Sequence, residues 1–136
     1  MYNNVSYVYI DSGSDYIYEG ALIHLMIDYV GGPGVNATQM EQGINAYFTE
    51  RHINNSLVVT SPFTFNTVKQ AINSNRPLII GTHLHPDYGN HCIIAHGYFQ
   101  SRVDGNYIII NDGARHNNIW IEPDMTTLTT SLGFAN

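Results

Sequence analysis

The apolar residues of this chain change period at Asn75-Arg76-Pro77, and that change limits the possible folds more than any other feature. Ahead of it they recur at helical spacing; beyond it they come in short runs between turn formers. Ala21 to Val30 carries Leu22, Leu25, Met26 and Tyr29 on one helical stripe, and Gly31-Gly32-Pro33-Gly34 stops it. Thr38 with Glu41 reads as a capping box, so a second helix is predicted through Met40, Ile44, Tyr47 and Phe48 to about His52. Phe65 to Asn75 is a third, with Phe65, Val68, Ala71 and Ile72 facing inward. Val5 to Ile10 and Ser56 to Thr60 read as strands within this half, the first ended by Asp11-Ser12-Gly13-Ser14-Asp15. Beyond Pro77 the predicted strands are Leu78 to Leu84, His91 to Gln100, Tyr107 to Asn111 and Asn118 to Ile121. Helices first and sheet second predict an α+β fold, N-terminal helices packed on an antiparallel sheet.

At 136 residues and 43% hydrophobic content the chain is expected to form a single domain, 1–136, with a sizeable core. Its net charge is -6, and its five basic residues never cluster, so no nucleic acid and no membrane surface is expected as a partner. No apolar run approaches the roughly 20 residues of a membrane span, and Met1-Tyr2-Asn3-Asn4 lacks a signal-peptide start. The single cysteine excludes an internal disulfide framework. The Tyr- and Asn-rich, Lys-poor balance suggests an extracellular or cell-surface bacterial protein, if the chain is part of a longer exported one.

The chemistry is concentrated in two neighbouring apolar runs, His91-Cys92-Ile93-Ile94-Ala95-His96-Gly97-Tyr98 and Tyr107-Ile108-Ile109-Ile110-Asn111-Asp112-Gly113. They place a histidine at the start of one run and an amide-carboxylate pair at the end of the next. In thiol peptidases a histidine takes the proton of the nucleophile, while an amide or carboxylate accepting from its other ring nitrogen fixes the tautomer. The order of elements, with FNTVKQAINSNRPLII, HCIIAHGY, YIIINDG and NNIWI, resembles the papain-like cysteine peptidases. It is most similar to the leader-cleaving peptidase domains of bacteriocin exporters and to streptopain-like and staphopain-like enzymes. The resemblance covers about Thr38 to Ile121. It implies a papain-like fold, a peptide or protein substrate and no cofactor, with His91 as base and Asn111 or Asp112 as its orienter. The streptopain-like pattern favours Asn111, and the exporter pattern favours Asp112.

The family's nucleophile is a cysteine at the start of a long helix. Cys92 cannot replace it, because adjacent strand residues point to opposite faces and its sulfur points away from the His91 ring. It is read as a small core hydrophobe, and His96 as a hydrogen-bonded sheet residue. If Ala21 to Val30 were the cysteine helix, the nucleophile would fall near Tyr18 or Glu19, where no Cys, Ser or Gln stands. If it is instead the following helix, the cysteine lies before Met1, and this second alignment is preferred because His91 and both orienter candidates are kept. The chain is therefore expected to be an incomplete or nucleophile-less peptidase domain, inactive alone, or a pseudopeptidase that binds peptides with Tyr98, Tyr107 and Trp120 lining the cleft. Trp120 also has a plain reading as core. Loss of a cysteine helix would leave apolar surface uncovered, which predicts a homodimer or association with the missing N-terminal segment.

The turn after the first run decides whether the pair can meet. A tight Asp104-Gly105 hairpin would put Asn111 opposite Tyr98, roughly 23 Å of strand from His91. A wider loop over about Phe99 to Gly105 would bring Asn111 opposite Ile93.

An alternative of another class rests on Ile80-Gly81-Thr82-His83-Leu84-His85-Pro86-Asp87. His83, His85 and Asp87 after a strand resemble the metal-binding loop of metallo-β-lactamase-like hydrolases, where imidazoles and a carboxylate hold Zn²⁺ and activate water. Tyr88 stands where that motif has its next histidine, and too little chain follows for the remaining ligands. His24, His52 and His116 have ordinary surface readings, His52 at a helix end that suits a cation.

Overall fold

The computed structural model describes residues 31, 36–113 and 118–135. The predicted strand Val5 to Ile10 and helix Ala21 to Val30 lie outside the described residues. The chain divides after Ser56 into two units.

In the first unit α1 spans Ala37–Glu50. It starts one position before the predicted Thr38, because Asn36 is the N-cap. The Asn36 side chain accepts from the Gln39 amide (2.8 Å), and the Gln39 side chain accepts from the Asn36 amide (3.0 Å). This reciprocal pair satisfies two helix-end donors, so the box is Asn36/Gln39 and not Thr38/Glu41. Gly43, Tyr47 and Phe48 form its buried face.

The second unit carries β1 (Leu57–Thr60), α2 (Phe65–Asn73), β2 (Leu78–His85), β3 (Gly89–Ser101), β4 (Gly105–Asn111), β5 (Ile119–Ile121) and β6 (Leu128–Phe134). The six strands form one sheet in the order β1-β6-β2-β3-β4-β5, and every pairing is antiparallel. The architecture is α+β, as the change of period predicts. β6 is the element the pattern does not reveal: LTTSLGF is rich in small polar residues, yet it runs between β1 and β2. Its neighbours Ser131 and Leu132 are both buried, and adjacent strand residues point to opposite faces. At Gly133 a Cβ would stand 2.7 Å from Leu78 Cδ2, so any larger residue there would have to displace that buried side chain.

One face of the sheet holds the core. Leu78, Ile80, Ile93, Ala95, Ile108, Ile110 and Ile121 alternate onto it and are covered by Val68 of α2, with Phe65, Ala71 and Ile72 packed against them. Burying each large side chain stabilises by roughly 1.5–3 kcal/mol. Thr64 caps α2 through a reciprocal pair with Thr67. Along β2 and β3 the core row ends at Thr82 and His91, which face each other across the strands.

The β3–β4 connection matches neither predicted loop. Ser101 pairs with Gly105, leaving Arg102, Val103 and Asp104 as the turn, and Asn111 lands opposite Ile94. The register shifts once, between Ala95 and Gly97, so His96 is the extra residue of a bulge. The bulge places odd-numbered residues of β3 before it on the same face as even-numbered residues of β4.

Candidate functional site

His91 is placed by Thr82, its cross-strand neighbour. The buried Thr82 hydroxyl accepts from the His91 amide (3.0 Å), and its proton lies within reach of the Gly89 carbonyl (2.9 Å) and the His91 carbonyl (3.2 Å). A threonine at the end of an apolar row thus satisfies main-chain groups of the turn that carries the histidine. That turn has Leu84 and Gly89 in the left-handed region, and the Asn90 side chain accepts from the Leu84 amide at 3.0 Å.

The imidazole Nε2 lies 2.8 Å from the main-chain carbonyl oxygen of Asp112. A carbonyl only accepts, so Nε2 carries the proton; in the neutral form of the ring the lone pair is then on Nδ1. Asp112 continues the buried parity of Ile108 and Ile110 and is only 4% exposed, on the face that His91 shares with Ile93 and Ala95. Asn111 points to the opposite face with Ile94, and its side chain accepts from the Gly113 amide at 2.9 Å. Of the two orienter candidates, the structure brings Asp112 to His91, through its peptide carbonyl and not its carboxylate.

Tyr88 stacks on the His91 ring, 6.1 Å between centroids and 23° between planes, and His85 lies 5.1 Å beyond it. Burial pushes the Tyr88 phenol above its ordinary pKa, with Asp112 and then Asp87 adding to the shift. Sequence reasoning missed both Thr82 and Tyr88; the signals were a hydroxyl ending an apolar strand row and an aromatic between two histidines.

Cys92 pairs with Gly81 and points to the face opposite His91. It is exposed by area, which corrects its reading as a core residue, yet enough protein surrounds the sulfur that desolvation raises its pKa. A reactive thiol needs the reverse shift. His96, at the bulge, is exposed. Among the described residues no three His, Cys, Asp or Glu side chains converge to hold a metal ion. His83, His85 and Asp87 are therefore not gathered as a ligand set, and the Asp87 amide instead donates to His85 Nδ1 at 3.1 Å.

The aromatic residues do not line one cleft. Tyr98 faces α2, its hydroxyl donating to Asn73 (3.0 Å), whereas Tyr107 and Trp120 stand on the other face of the sheet. Trp120 is 51% exposed and is not core. Among the described residues no helix is long and apolar enough to cross a membrane.

A family model described as the Peptidase_C39 like family matches residues 5–130. No curated protein and no solved structure matches the chain. Matched from the first predicted strand into β6, with a histidine held by the residue just past the end of the adjoining strand, the chain belongs to the Peptidase_C39 like family and is related through it to the papain-like cysteine peptidases.

Proposed function

We propose that this chain is a papain-like peptidase domain that keeps the base half of a thiol-peptidase site and lacks its nucleophile, so that it binds peptide without cleaving it. The observation that carries the reading is the 2.8 Å contact between His91 Nε2 and the Asp112 carbonyl. It leaves Nδ1 as the proton acceptor, the role a base requires. Residues 5–36 fall within the family match and contain no cysteine. The one thiol of the sequence, Cys92, lies on the wrong face and is held protonated by desolvation. Without a thiolate no acyl intermediate forms, which supports binding without cleavage.

The test is incubation of the chain with a mixed peptide library under reducing conditions, with the His91 ring followed by NMR. The expected outcome is peptide-dependent movement of the His91 resonances without iodoacetamide-sensitive turnover. Turnover that iodoacetamide blocks would overturn the missing nucleophile, and unmoved His91 resonances at millimolar peptide would overturn peptide binding.

A further inference from the structure

The sheet face opposite α2 carries a second feature, independent of the His91 site. Phe99 and Tyr107 pair across β3 and β4, and Trp120 pairs with Ile109 across β4 and β5, so all three rings stand on this face. Their centroids lie 5.1 Å (Phe99–Trp120), 5.9 Å (Tyr107–Trp120) and 6.4 Å (Phe99–Tyr107) apart. The cluster is continuous, and its Trp120 indole is half open to solvent. A large exposed aromatic in a strand is the exception that packing does not explain.

The surroundings decide what such a surface would take. A cavity of about 380 Å³ opens beside Tyr107, and Asp104, Glu122 and Asp124 supply its carboxylates. Asp104 accepts from the Ser101 hydroxyl (3.1 Å) and Asp124 from the Thr126 hydroxyl (2.6 Å). The Thr126 bonds hold the Asp124 carboxyl below its ordinary pKa, with His85 adding to the shift. Ring faces attract cations through their quadrupole, and carboxylates at the rim add a field of the same sign to a chain whose net charge is already -6. The chain makes contacts of this kind itself, Arg51 over Tyr47 and Lys69 over Tyr98, on other rings.

We propose that Phe99, Tyr107 and Trp120, rimmed by Asp104, Glu122 and Asp124, form a docking surface for a cationic peptide segment. An Arg or Lys side chain of that segment stacks on the rings while a neighbouring cation meets the carboxylates. The three rings lie across the sheet from His91, so their occupancy does not depend on the peptidase reading, whereas Asp124 also interacts electrostatically with His85.

Trp120 is the only tryptophan, so its emission reports this face alone. Titration of the intact chain with an Arg-rich tetrapeptide at low salt should give a saturable emission change, and a Glu-rich tetrapeptide should give none. Glu122→Gln combined with Asp104→Asn, both at exposed positions, should weaken binding about fivefold, and about 0.5 M salt should weaken it further. Trp120→Leu, followed by amide NMR at Phe99 and Tyr107, should weaken it about tenfold while the spectrum stays folded. The proposal falls if the Arg-rich peptide gives no saturable change, or if a neutral oligosaccharide binds as tightly. It also falls if the carboxylate pair variant binds unchanged, or if emission varies with protein concentration without peptide, which would assign the face to a second copy of the chain.

Discussion

His91 is held by main-chain chemistry at both ends: its amide by the Thr82 hydroxyl and its ring by the Asp112 carbonyl. A peptide acceptor has a consequence that a side-chain orienter would not. Asp112→Asn keeps the carbonyl, so the His91 ring should retain its Nε2–H tautomer in long-range ¹⁵N spectra; loss of that tautomer in a folded protein would show that the carboxylate is the effective orienter. Thr82→Val removes a buried hydroxyl and strands the His91 amide, a loss of about 1–3 kcal/mol in denaturant melts, with Thr82→Ser recovering most of it. Tyr88 gives a pH signature. Its phenol keeps its proton in the folded state to higher pH than in the unfolded state, where it ionises near about 10. The folded state then binds more protons above that value, so stability falls as pH rises from about 10 through the folded pKa. Tyr88→Phe should flatten this alkaline decline in urea melts, and an unchanged decline would mean that Tyr88 is solvated like a free tyrosine.

At the scale of elements the bulge at His96 matters most. Without the extra residue, β3 would keep one parity throughout and the His91 ring would turn to the face that now carries Cys92. Deleting His96 should therefore abolish the His91–Asp112 contact, seen as loss of the Nε2–H signal, or else force β3 to slip and cost the Ile93 and Ala95 packing. The alternation of HCIIA shows that these residues form a strand, and Asp104-Gly105 shows that a turn follows. Neither states that Arg102 joins the turn or that one residue bulges, because both are settled by packing Tyr98 against α2 and Ile93 against Ile80. Helices α1 and α2 were legible from their apolar stripes. The cap of α1 shifted to Asn36 because a better acceptor stood just upstream. β6 was illegible for the opposite reason: Thr129, Thr130 and Gly133 show little apolar pattern, and only proximity to Leu78 explains the glycine. Gly133→Ala should consequently destabilise by about 1–3 kcal/mol through overpacking, whereas Gly97→Ala, whose Cβ would meet Ile109 at 3.3 Å, should cost less.

Over the whole molecule the family was legible in the sequence because the motifs that resemble it are local: a histidine near the start of one strand and Asn-Asp-Gly at the end of the next. What the sequence did not show was the division of labour between the two faces of the sheet, since face assignment propagates from a register that a single residue can invert. The sheet order places β2 and β3 inside and the three-residue β5 at one end. Interior strands share hydrogen bonds with two neighbours and bury Ile80, Ile93 and Ala95 completely, so their amides open only with the sheet as a whole. Among the described residues β5 has β4 as its only neighbour in the sheet, and it carries the half-exposed Trp120, so it belongs to the low-stability end of the described sheet. Native-state hydrogen exchange should then show β2 and β3 exchanging at the global unfolding free energy, while the amides of Ile119 to Ile121 exchange through smaller, denaturant-insensitive openings. The site built on His91 would be rigid and the Trp120 surface adaptable, which suits the proposed base on one side and the proposed cationic segment on the other. Equal protection in β5 and β3 would contradict this, because it would require the short terminal strand to open only when the whole sheet does.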